Sequence, residues 1–162
     1  MTVVSDTSPV SNFFRINQLP ILKEVYGALV IPQEVAGELT LLKGFGLNPG
    51  EIFLQPWIEI KATFSTSQFF QPKEKIHIGE AAAISLALEI NADYILIDDR
   101  KGQLLALKQQ LNPIGTLGTL KIAKEKAIIT NVKQTLDQII SIANYWLSNE
   151  VYTSFLKNCN EL

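Results

Sequence analysis

Two short apolar runs, far apart in the chain, each stop on aspartate. Met1–Ser5 leads into Asp6, and Tyr94–Ile97 leads into Asp98-Asp99. Such runs are too short for helices and are bounded by turn-forming residues, as strands buried on both faces are. Buried strands need helices on both sides of the sheet, and the rest of the chain supplies them. The apolar periodicity predicts helices over residues 9–16, 19–26, 32–43, 79–91, 104–111, 117–126, 132–147 and 150–158. Further strands are predicted at 28–31, 57–61 and 113–115, a loop at 44–50 and a polar crossover at 63–75. Ser8 reads as an N-cap with Pro9 at the first helical position. Strands alternating with helices give an α/β fold of three layers, α/β/α, around a parallel sheet of about five strands.

Length limits this to one domain over residues 1–162, with the helices from about residue 132 packing on the core or forming a dimer contact. Apolar residues make up 47% and charged residues 19%, which suits a globular chain and excludes a disordered one. The single cysteine, Cys159, excludes an internal disulfide and a cysteine-based zinc site and fits a reducing compartment. No apolar stretch approaches the roughly 20 residues of a membrane span, and the N-terminus lacks the basic region of a signal peptide. The expected location is the cytoplasm. A net charge of −2 argues against holding nucleic acid by bulk charge, so any phosphate-binding surface must be local.

The acids matter by position. Asp6 and the Asp98–Asp99 pair fall at the carboxyl ends of buried strands, where open α/β sheets bind their ligands. Glu80 lies in the first turn of an alanine-rich helix, in register with Ile84 and Leu88, on a stripe expected to face the sheet. A buried carboxylate is costly unless paired; the helix dipole offsets part of that cost, and a metal ion would offset more. Glu38 stands on the border of the apolar stripe Val35, Leu39 and Leu42, within reach of an edge crevice, whereas Glu34 is expected to face solvent. Hard oxygen ligands gathered in this way suit Mg²⁺ or Mn²⁺. A cation between them would relieve their mutual repulsion and support phosphodiester hydrolysis with no histidine, cysteine or lysine nucleophile.

Five blocks in order then resemble the PIN-domain family. They are Val4-Ser5-Asp6-Thr7-Ser8-Pro9; Ile31-Pro32-Gln33-Glu34-Val35 with Glu38-Leu39; Gly79-Glu80-Ala81-Ala82-Ala83-Ile84; Leu96-Ile97-Asp98-Asp99-Arg100-Lys101-Gly102; and Gly115-Thr116-Leu117-Gly118. The chain most resembles the prokaryotic PIN-like branch whose central helix opens Gly-Glu-Ala. The resemblance implies a PIN fold and a Mg²⁺- or Mn²⁺-dependent endoribonuclease. Asp6, Glu38, Glu80 and Asp98 take the family's catalytic acidic positions. The metal ligands are expected among Asp6, Glu80, Asp98 and Asp99, and Thr7, Ser8 and Thr116 are expected to position ion or phosphate. Many bacterial relatives are toxins held by a small antitoxin protein, and many are homodimers. The implied partners are therefore RNA, an antitoxin and a second copy of the chain, with no membrane. Glu80 stands where many members carry Asp, one methylene shorter.

Plainer readings stand beside these. Asp6 could serve only a helix start, Glu80 only a dipole and Glu38 only solvent. One of Asp98 and Asp99 is a turn residue, and Thr116 could cap the next helix. His77 fits an exposed loop. Lys121 and Lys124, with Lys73, Lys75, Arg100, Lys101 and Lys108, fit solvated faces better than an RNA contact, and Tyr145, Trp146 and Leu147 fit core or dimer contacts. The alternative function is an inactive PIN-like scaffold that binds without cutting.

Overall fold

Val3–Ser5 forms β1, and the chain turns at once into the helix α1, Thr7–Arg15. Helix α2, Pro20–Tyr26, leads to β2, Leu29–Pro32, and then to α3, Gln33–Leu39. A 3₁₀ helix over Thr40–Phe45 and a short helix α4, Gly50–Phe53, precede β3, Ile58–Lys61. Then follow α5, Ile78–Glu89; β4, Tyr94–Leu96; α6, Arg100–Lys108; β5, Pro113–Ile114; α7, Thr116–Glu125; α8, Val132–Ile142; and α9, Asn149–Asn158. This computed structural model describes residues 1–64 and 76–162. The expected crossover at 63–75 lies almost wholly outside the described residues, as do Lys73 and Lys75.

The five strands form one parallel sheet in the order β3-β2-β1-β4-β5. The α/β architecture is thus the one read from the sequence. Alternate residues of each strand serve opposite faces, as a pleated strand requires. Val3, Leu29, Ile31 and Leu96 join the core formed with α1, α2, α3, α7, α8 and α9. Val4, Ile95 and Ile97 join a second core with α5 and α6. From β1 the chain builds outward to β2 and β3, and from β4 outward to β5 on the other side. β1 and β4 therefore lie side by side where the strand order reverses, the position at which such sheets open a crevice beyond their carboxyl ends. Asp6 and Asp98 leave these two strands.

Several local expectations are corrected. Ser8 is not the N-cap: Asp6 is still extended at φ −76°, ψ 174°, and Thr7 already opens α1. Pro9 remains in the first turn, where its missing N–H costs nothing. The helix expected over 32–43 ends at Leu39, tightens to 3₁₀ and stops at Gly46, whose φ of +74° breaks the helical run. Helix α6 begins at Arg100 and not at 104, because Asp99 caps it. Helix α8 ends before 147 because Asn144 takes a left-handed φ of +55°. Helix α5 is buried all round from Gly79 to Ala87 and so has no single core stripe. Glu34 does not face solvent; it is half-buried, with Oε2 shielded. Of the three residues expected in core or dimer contacts, Tyr145 and Leu147 do pack against the core, and Trp146 is exposed. Among the described residues no helix is long and apolar enough to cross a membrane.

Candidate active site

Asp6 is 4% exposed and sits between β1 and α1. Its backbone N–H continues the sheet, donating to Leu96 O at 2.8 Å, which fixes it beside the end of β4. Among the described residues no donor closes a full hydrogen bond to its carboxylate; the Thr7 N–H lies near enough to favour the charged form without capping it. Burial pushes the Asp6 carboxyl up to about 8, and the charges of Glu80, Glu38 and Asp98 add to that rise.

The other acids face the same crevice and are better supported. Asp98, half-buried past the end of β4, accepts the Thr116 N–H on Oδ1 at 2.6 Å. Its Oδ2 accepts the Thr116 hydroxyl at 2.7 Å and the Asn12 amide at 3.1 Å. Burial still raises its pKa, against the opposing pull of the Thr116 bonds. Glu80, 6% exposed, folds back so that Oε2 accepts the His77 N–H at 3.1 Å. Burial raises its pKa as well, and Asp99 and Glu38 add repulsion. Glu38, from α3, accepts the Thr7 hydroxyl on Oε2 and the Gly79 N–H on Oε1 at 3.1 Å.

Asp99 is different. It is exposed, and its Oδ2 accepts the N–H groups of Lys101 and Gly102, an N-cap for α6. Ser8 is exposed on the first turn of α1. Thr116 is fully buried and turned onto Asp98, and as the first residue of α7 it follows the N-cap, Gly115. His77 is exposed at the start of α5. Lys124 is committed to Glu161 at 2.6 Å and to Thr130 O.

The donor set fits a hard divalent cation. Carboxylate oxygens dominate it, and the most deeply buried of them, on Asp6, has among the described residues no counter-charge and only the Thr7 N–H to favour its ionised form. In the positions described here, no three acidic, imidazole or thiol groups among the described residues stand close enough to hold an ion. Glu80 and Glu38 would have to turn inward from their backbone partners.

A model of the PIN domain matches residues 2–161, nearly the whole chain. The chain belongs to the PIN-domain family. No curated protein and no solved structure matches it. PIN domains are generally nucleases and usually work with divalent cations such as Mg²⁺.

In this PIN domain glycines make room for the acids. A Cβ at Gly79 would lie 2.5 Å from both Glu38 carboxylate oxygens, so only glycine lets Glu38 sit on the N-terminus of α5. A Cβ at Gly115 would lie 3.0 Å from Asp98 Oδ1. One at Gly102 would strike Ile97 at 2.4 Å and approach Glu80 to 3.7 Å. Sequence reasoning also missed Asn12. The available signal was a single amide within the apolar stripe Val10, Phe13 and Ile16 of α1.

Proposed function

We propose that this PIN domain, residues 1–162, is an endoribonuclease that hydrolyses RNA phosphodiester bonds with Mg²⁺ or Mn²⁺. The observation that carries this reading is the Asp6 carboxylate: buried, without a counter-charge among the described residues, and close enough to Glu38, Glu80 and Asp98 to feel their charge. Asp6, Glu80 and Asp98 would hold the cation, with Glu38 at its edge. When bound, a divalent cation would supply the Lewis acidity that activates water and offsets charge on the scissile phosphate. The protein's own contribution is placement. β1 and β4 set Asp6 and Asp98 side by side, and Thr7 and Gly79 hold Glu38 at the rim. Ser8, exposed on the first turn of α1, offers a hydroxyl beside a helix N-terminus, which favours a phosphate.

Purified protein should cleave single-stranded RNA with Mn²⁺ or Mg²⁺ and not with EDTA. An Asp6→Ala/Asp98→Ala double variant should lose that cleavage. Equal cleavage by both proteins would assign the activity to a contaminant.

A second reading, a PIN-like scaffold that binds without cutting, draws support from the spacing of the acids and from the backbone partners of Glu38, Glu80 and Asp98. Binding of RNA by a protein that neither takes up Mn²⁺ nor cuts would favour it. We also read the protein as a cytoplasmic toxin restrained by a small antitoxin, active as a homodimer. A short adjacent reading frame whose product co-purifies with this chain would support the pairing. Sedimentation would test the dimer, for which the exposed Ile142, Trp146 and Val151 offer apolar surface.

A further inference from the structure

Asn12 is a buried polar side chain on the core face of α1. It is 6% exposed, between Val10 and Phe13, which are fully buried. Its Nδ2 lies 3.1 Å from Asp98 Oδ2 and 3.1 Å from Thr116 Oγ1. Those two acceptors are themselves 2.7 Å apart. Two acceptors that close together subtend far less than the angle between two amide protons, so one N–H of Asn12 is shared between them. The orientation of the amide is set by chemistry: an ionised Asp98 only accepts, so nitrogen and not oxygen must face it.

This shared proton has a consequence for Asp98. Oδ2 receives the Asn12 N–H and the Thr116 O–H, and its two lone pairs are then used. Among the described residues Oδ1 receives only the Thr116 N–H, at 2.6 Å, which leaves it a lone pair. The position beside Oδ1 that a side chain would otherwise fill belongs to Gly115, and the Gln103 amide that borders the same position is committed to Ile97 O at 2.8 Å. Thr116 cannot reverse its role, because its oxygen already faces the Asn12 donor and its proton points at Asp98.

We infer that Asn12 is a positioning residue for Asp98: with the Thr116 hydroxyl it saturates Oδ2, which leaves Oδ1 as the oxygen that Asp98 offers to a divalent cation. The inference rests on the proposed metal-dependent function. It also gives α1 a single task at three points, since Asp6 precedes its first residue, Thr7 binds Glu38 and Asn12 binds Asp98. Removing the amide leaves Asp98 held by Thr116 alone and returns a lone pair to Oδ2, so that either oxygen can be presented. Changes to groups that orient a metal ligand typically weaken metal binding about 10–100-fold.

The test is calorimetric titration of Mn²⁺ alone into wild type, Asn12→Leu, Asn12→Ala and Tyr26→Phe, at a temperature where each is folded by circular dichroism. Leu keeps the volume and Ala avoids overpacking, so one of them serves if the other fails to fold. Tyr26→Phe is the control: it removes the buried hydrogen bond between Tyr26 and Thr119, 2.8 Å, on the helix that carries Thr116, and keeps the Thr119 bond to Gly115 O. The expected result is Mn²⁺ affinity lowered at least tenfold in the Asn12 variants and unchanged in Tyr26→Phe, with all variants melting somewhat lower in EDTA. Wild-type affinity in the Asn12 variants, or an equal loss in Tyr26→Phe, would overturn the role of Asn12 while leaving the metal site standing. A wild type that takes up no Mn²⁺ would remove the metal site itself, and the positioning role with it.

Discussion

Asp6 is the least supported of the acids, and its environment makes a statement about pH. Its folded carboxyl titrates at about 8, while in the unfolded chain it titrates near the ordinary value of 3.8. Between those values the folded protein holds a proton that the unfolded chain releases, so stability declines as pH rises through that window. Glu80 and Asp98, also raised by burial, act in the same direction. In EDTA the protein should therefore melt at progressively lower temperature from pH 5 to pH 8, and Asp6→Asn should flatten much of that slope. A metal-free melting temperature that rises over the same range would contradict the burial of Asp6. Gly79→Ala drives a methyl group into the Glu38 carboxylate, which is the far end of a flexible side chain and can swing away. Folding in EDTA should change little, since alanine also favours the helix by about 0.5–1 kcal/mol. Mn²⁺-dependent cleavage should fall at least tenfold. Full cleavage by that variant would remove Glu38 from the site.

Among the elements, the strands were the most legible. β1 and β4 are short, mostly apolar runs followed closely by acids, a pattern that depends on sequence neighbours alone. The 3₁₀ turn and α4 were not legible, because pieces of four to six residues carry too little periodicity to read. The contacts that hold the site were hidden for a different reason. Gly79 meets Glu38 across 41 residues, and Asn12 meets Asp98 across 86, so each contact exists only once the sheet is assembled. The start of α6 separates Asp98 from Asp99. Asp99 spends Oδ2 on the first turn of α6, whereas Asp98 turns toward α7 and the crevice. Asp99→Ala should cost about 1 kcal/mol, the usual value of an N-cap, which lowers the melting temperature by roughly 2–4 °C in a chain of this size. Mn²⁺-dependent cleavage should persist in that variant. Its loss with an unchanged melting temperature would make Asp99 the ligand.

The whole molecule is a sheet with two unequal cores, and its strand order decides where chemistry is available. Because β1 and β4 are neighbours, acids more than 90 residues apart in sequence reach one crevice, a conclusion the apolar runs suggested and the topology completes. The net charge of −2 is then no obstacle to an RNA substrate, since four of the sixteen acids, Asp6, Glu38, Glu80 and Asp98, gather where a bound cation would offset them. Folding and function are opposed at that spot. The metal-free fold tolerates Asp6 by keeping it protonated, and a bound cation would let it ionise. Thermal melting at pH 8 with and without excess Mn²⁺, for wild type and Asp6→Asn, tests this most directly. The wild type should gain roughly 5–10 °C at about 100 times the dissociation constant, the mass-action stabilisation of about 2.7 kcal/mol. Asp6→Asn should melt at or above the wild type in EDTA and gain nothing from Mn²⁺. An equal Mn²⁺ shift in both proteins, or none in either, would contradict a cation site built on Asp6.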